Sequence, residues 1–124
     1  MLAAAIRSYL LSIPELTALI GTRLYPGWIP ENADMPSVAY FEISGVRHHD
    51  IDVAYPRYQF SCFSTRYAEA RKIAEIIRKS LQRYKGDMSG IRIIQGVHES
   101  TYEQYERETN IYHISVDMRI IHRE

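Results

Sequence analysis

A single cysteine, Cys62, stands in a chain of 124 residues, so no internal disulfide can brace the fold. Net charge is also missing, because 15 Lys+Arg balance 15 Asp+Glu. That balance removes the basic field on which a free nucleic-acid binder relies, together with the self-repulsion that keeps copies apart. No apolar run approaches the roughly 20 residues of a bilayer span. The N-terminal stretch MLAAAIRSYLLSIPELTALIG has the apolar character of a signal peptide, but Arg7 and Ser8 interrupt it. It lacks a basic n-region and a small-residue cleavage site, so the expectation is a soluble, unprocessed chain. Repeats, low-complexity tracts and linker-like segments are absent, which predicts one domain over 1–124. What is present is a globular composition, 46% hydrophobic and 24% charged, with ten tyrosines. Tyrosine pairs a large apolar body with a polar tip, and its excess favours interfaces.

Leu2, Ile6, Tyr9, Leu10 and Ile13 recur at helical spacing and predict a helix over about 2–12, ended by Pro14. Glu15 to Leu19 forms a second short turn closed by Gly21. Pro26, Gly27, Pro30 and Pro36 mark Thr22 to Pro36 as a long irregular loop. An alternating strand follows over Ser37–Ser44, with Phe41 and Ile43 on one face and Tyr40, Glu42 and Ser44 on the other. A second strand runs from Arg57 to Ser64. The strongest signal is a helix over about Tyr67–Tyr84, where Ala70, Ile73, Ala74, Ile77, Leu81 and Tyr84 make one apolar stripe. Ser64 or Thr65 is positioned to cap its start and Gly86 to end it. Strands are expected at Ile91–Val97 and Ile111–His122, joined by an acidic, Tyr-bearing connection over 99–110. The predicted class is α+β: an antiparallel four-stranded sheet with helices on one face, in the order α-β-β-α-β-β.

Motifs for catalysis are thin. His48, His49, Asp50 and Asp52 form the one cluster resembling a metal site, without a second ligand group at zinc spacing. A solvated polar loop accounts for it more simply. Cys62 lies beside Phe60 on the apolar face of its strand, the setting of a small buried hydrophobe. Neither a nucleophile elbow nor a glycine-rich phosphate loop is found. Charge patterning says more. Residues 1–62 carry 4 Lys+Arg against 6 Asp+Glu, residues 63–86 carry 7 against 2, and residues 87–124 carry 4 against 7. A basic helix and acidic loops on a neutral molecule suit self-complementary contacts.

Three segments resemble a known family. They are Pro14-Glu15-Leu16-Thr17-Ala18-Leu19-Ile20-Gly21-Thr22-Arg23-Leu24-Tyr25-Pro26, then Gln59-Phe60-Ser61-Cys62-Phe63-Ser64, then Tyr67-Ala68-Glu69-Ala70 running into Ile73-Ala74-Glu75-Ile76-Ile77-Arg78. Together they are similar to the tail-completion, tail-terminator or head–tail joining proteins of long-tailed bacteriophages and prophages. The resemblance implies a virion assembly protein without catalytic residues, cofactor or metal. It implies a homo-oligomeric ring, six-fold in relatives, that caps the head-proximal end of the tail tube. Its partners would be itself, the major tail-tube protein and a head-completion or connector protein of the neck. DNA would meet it only in transit through the lumen, and a membrane not at all. Location would be the virion tail, and the host cytoplasm during assembly.

A head-to-tail ring needs two different complementary patches on each subunit. The residues expected at subunit or partner interfaces are Arg71, Lys72, Arg78, Lys79, Tyr102, Glu103, Tyr105, Glu106 and Glu108. Glu42, His113, Asp117 and Arg119 are expected on a polar sheet face or the ring lumen. The alternatives are another neck or baseplate component of a phage tail and, distantly, a small metal-dependent enzyme using His48, His49 and Asp50.

Overall fold

The computed structural model describes residues 2–45, 47–48 and 52–123. Two short helices, α1 (Leu2–Leu11) and α2 (Pro14–Ile20), open the chain and α3 (Tyr67–Leu81) divides its strands. The strands are β1 (Leu24–Pro26), β2 (Ser37–Ser44), β3 (Arg47–His48), β4 (Val53–Ala54), β5 (Arg57–Ser64), β6 (Gly86–Met88), β7 (Ile91–Glu106) and β8 (Ile111–Arg123). The long β8 organises the sheet. Along one side it pairs with β5 and, near its end, with β4; along the other it pairs with β7. β2 pairs with β5 and carries β1 outside it, while β6 lies outside β7. β3 lies outside β4, and the outermost strands of the run β1-β2-β5-β8-β7-β6 are β1 and β6, on opposite edges.

The expected four-stranded, wholly antiparallel sheet in the order α-β-β-α-β-β is therefore incorrect. The sheet is mixed and eight-stranded, because β1 runs parallel to β2, and three helices accompany it. The strands that were missed have no alternation to reveal them. β1 is three residues ending in Pro26, and β6 is a three-residue stretch starting at Gly86. The larger surprise is β7, which continues through the acidic connection to Glu106. Those polar residues extend because their backbone pairs with β8, with Tyr102 opposite Ser115 and Tyr105 opposite Tyr112.

The core fills the space between helices and sheet. The α3 stripe of Ala70, Ile73, Ala74, Ile77 and Leu81 is buried, and so are Phe60, Cys62, Ile114, Val116 and Met118. Ile6, Leu10, Leu16 and Ile20 bring α1 and α2 into the same core. Burial of so many aliphatic side chains, each contributing about 1.5–3 kcal/mol, makes this interface the main source of stability. Among the described residues, no single helix is long and apolar enough to cross a membrane.

Local signals at the ends of α3 also differ from expectation. The residue before the first helical turn is Arg66, whose side chain makes no cap. Ser64 instead accepts the Arg66 amide at 3.1 Å and donates to Glu69 at 2.7 Å. The helix stops at Leu81, with Arg83 in the left-handed region at φ 62. Gly96 is required by a close approach, because a Cβ there would overlap the Leu81 carbonyl oxygen. The Arg83 amide donates to the Gly96 carbonyl at 2.8 Å, tying β7 to the helix end.

Candidate assembly surfaces

The polar residues of this chain stand on three surfaces. The first is the sheet face turned away from the helices. Registry places His113, Phe63 and Ser37 in one row, Ser115, Ser61 and Ala39 in the next, and Asp117, Gln59 and Phe41 in a third. Asp117 is buried there at 2% exposure. It accepts from Arg57 at 2.8 Å and from Gln59 at 3.0 Å, with Ser100 at 3.4 Å. Its carboxylate is spent inside this cluster. Arg119 on the same face binds Glu99 at 2.6 Å and the Tyr55 carbonyl at 2.7 Å. His113 stacks on Phe63 at 4.4 Å and contacts Ser115 at 2.9 Å. Burial lowers the His113 pKa against the smaller opposing pull of Glu106. Glu42 does not join these three. It stands opposite Tyr58 on the helix-side face. Burial first, and the Glu42 carboxylate second, raise the Tyr58 pKa to about 12.

The second surface is the arm formed by the outer halves of β7 and β8. Residues 101–110 are all exposed. Glu103 receives Tyr67 at 3.0 Å and Arg71 at 2.7 Å, and the hydrogen bond to Glu103 raises the Tyr67 pKa. Tyr105 packs on Tyr112 at 4.6 Å and Tyr112 on Tyr67 at 5.6 Å. Tyr102, 60% exposed, has no such packing partner among the described residues. Glu106 and Glu108 have no ion-pair partner among the described residues either.

The third surface is the outer face of α3. Arg71 is paired with Glu103, and Arg78 with Glu75 at 2.9 Å, which lowers the Glu75 pKa. Lys72 and Lys79 are exposed and unpaired among the described residues, although a shallow cleft beside them also carries Glu15 and Glu75. The pair of Arg71 on α3 with Glu103 on the arm thus joins the second surface to the third.

Sequence reasoning missed a fourth feature, an apolar groove of about 460 Å³ on the helix-free sheet face, bordered by Trp28, Ile29, Met35, Phe41, Phe63 and Ile111. Its signal was available in β2. Val38 and Tyr40 enter the core, and the alternation leaves Phe41 37% and Ile43 40% exposed.

Residues 4–123 match the family described as Tail completion protein gp17. The chain belongs to that family. It is a structural tail-completion protein, and catalysis has no part in the family's role. Among the described residues no group of three or more His, Cys, Asp or Glu could hold a metal ion. His49 and Asp50 lie outside the described residues, and His48 contributes its backbone to β3. The fold of this tail-completion chain is also that of a chain in the structure titled "Virion of native gene transfer agent (GTA) particle". The two share 17% identity with a TM-score of 0.80, over 98% of this chain and 93% of the other. No curated protein matches in sequence.

Proposed function

We propose that this tail-completion protein forms a ring on the head-proximal end of the tail tube, ends tube growth and joins the tail to the head. The match of residues 4–123 to the tail-completion family carries this reading, and a fold shared with a chain from a virion structure supports it. The partners are further copies of the chain, the tail-tube protein and a connector protein of the neck, with DNA in transit through the lumen. Assembly takes place in the host cytoplasm and the product resides in the virion tail.

Lys72 and Lys79 of α3, with their paired neighbours Arg71 and Arg78, would face the tube or neck. Tyr102, Glu106 and Glu108 at the end of the arm would meet the partner on the other side, with Glu103 and Tyr105 holding the arm in shape. His113 and Arg119 remain on the face that could line a lumen; the buried Asp117 and the displaced Glu42 would act there only through their neighbours. Near-zero net charge suits a passage for DNA, since strong phosphate attraction would retard transit.

Removing the gene and imaging the particles tests the role. Loss of this protein should leave overlong or unjoined tails, whereas absence of tails would mark it as a baseplate component. Charge reversal at Arg78 and Lys79 should lower the yield of joined particles with the monomer still folded. Wild-type yield of infectious particles would remove α3 from the interface.

A further inference from the structure

The two edges of the sheet differ in charge and in what they expose. At the β1–β2 edge, residues 24–45 carry Glu31, Asp34 and Glu42 with no lysine or arginine. The same edge holds Trp28, the only tryptophan, at 80% exposure; it shares the apolar groove with Phe41, and Ile43 is also exposed on β2. The backbone fixes this knob. The Gly27 amide donates to Tyr40 at 2.9 Å and the Trp28 amide to Pro26 at 3.2 Å, so the indole is held just past the last paired residue of β1. A bulky indole left in water at a pinned position is the profile of an interface anchor.

The opposite edge, at β6 and β7, has the reverse character. A cleft of about 410 Å³ is lined by Lys85, Arg92, Ile93, Ile94, Gln95 and Arg123. None of its three cations has an ion-pair partner among the described residues. Asp87, opposite Arg92 across the β6–β7 pair, has its carboxylate on the Gly90 amide at 3.1 Å. Ile94 is 38% exposed and supplies apolar surface between the charges. Such a cleft fits an aromatic ring, whose face attracts guanidinium and ammonium groups, flanked by carboxylates.

We propose that the Trp28 knob of one copy seats in the Lys85–Arg92–Arg123 cleft of the next, with Glu31 and Asp34 meeting the cations around the indole. The contact is heterologous, one edge against the other, as a closed ring requires. It rests on the ring reading above and names the surfaces that would close it. It leaves α3 and the arm free for partners above and below. An acidic-aromatic segment of the tube protein is the competing occupant of the cleft.

Cysteine pairing on assembled tubes tests it. In the full-length chain, Ile29→Cys, beside the knob and leaving the indole in place, combined with Ile94→Cys should give, on mild oxidation, a ladder of disulfide-linked oligomers. Each single variant should give no more than dimers; Cys62 is buried and its thiol pKa is raised, so it will not compete. Trp28→Ala should weaken ring formation about tenfold or more, read by light scattering with tail tubes present. Reversal by Lys85→Glu with Arg92→Glu should do the same, and adding Glu31→Lys with Asp34→Lys should restore rings. Rings formed by the Ile29→Cys, Ile94→Cys chain that yield no such ladder overturn the inference and leave the ring reading standing. Rings that persist in Trp28→Ala while tube binding fails give the knob to the tube protein, and also overturn it. A wild-type chain that binds tubes only as a monomer overturns both readings.

Discussion

The two halves of β7 belong to one strand, meet at a register shift between His98 and Ser100, and live under opposite conditions. Residues 91–98 pack beneath the end of α3, with Ile93 buried and Gly96 pressed against the helix. Residues 101–106 are exposed throughout and held by backbone pairing to β8. The inner half must satisfy packing, so its chemistry is constrained. The outer half must satisfy only main-chain hydrogen bonds, which any residue but proline can make. Stability should therefore be concentrated in the first half, whose outward side chains Arg92 and Ile94 line the proposed subunit cleft, and contact with partners above and below in the second.

The sharpest way to break this contrast is Gly96→Ala. A methyl group has no room against the Leu81 carbonyl, so strand or helix must shift. A loss of about 3–5 kcal/mol is expected, seen as a large drop in Tm. A fall of under about 1 kcal/mol would show that the inner half is not tightly packed. Asp117→Ala, at the point where the arm leaves the core, comes next. It strips Arg57 and Gln59 of a buried acceptor and should cost about 2 kcal/mol in denaturant unfolding. Asp117→Asn should cost less, because one oxygen can still accept.

The same contrast accounts for what could be read from the sequence. The α3 stripe and the strands 37–44 and 57–64 were legible because burial imposes a period on them. Leu24-Tyr25-Pro26 and Gly86-Asp87-Met88 were not, since three residues hold no period and their strand character comes from a neighbour. Residues 99–106 looked like a loop because polarity without alternation is the signature of one; a strand exposed on both faces has the same composition. For the candidate surfaces, the sequence named charged residues without revealing their company. Arg71 and Glu103 lie 32 positions apart and pair, Asp117 is buried among polar neighbours, and Trp28 sat unremarked in a proline-rich loop.

A smaller effect sharpens the comparison from the side of the arm. Glu103→Gln removes the charge that receives Arg71, both side chains being more than 40% exposed. Exposed pairs of this kind contribute about 0.5 kcal/mol or less, and salt screens them. The Tm should therefore change by a degree or two, and the change should vanish in high salt. Joined-particle yield should fall by more than that stability loss explains if the arm is a contact surface. Equal yield would make the Arg71–Glu103 pair dispensable for joining.

The smallest expected effect is a pH dependence at His113, opposite Gln104 within the arm. Burial holds its folded-state pKa below the unfolded value, so the folded protein prefers the neutral ring. Between the two pKa values the unfolded chain binds more protons, and stability there rises with pH. The contribution is complete above the unfolded value, near pH 6.5, and is lost as the pH falls through that value toward the folded one. Glu106, the opposing influence, pulls the folded value back up and keeps the effect small. Comparing Tm at pH 7.5 and pH 5.5 in wild type and His113→Gln isolates it from the carboxylates that titrate in both. Wild type should lose slightly more on acidification. A larger loss in the variant would mean that the protonated ring is the form the fold favours, and that the stack on Phe63 is open to water.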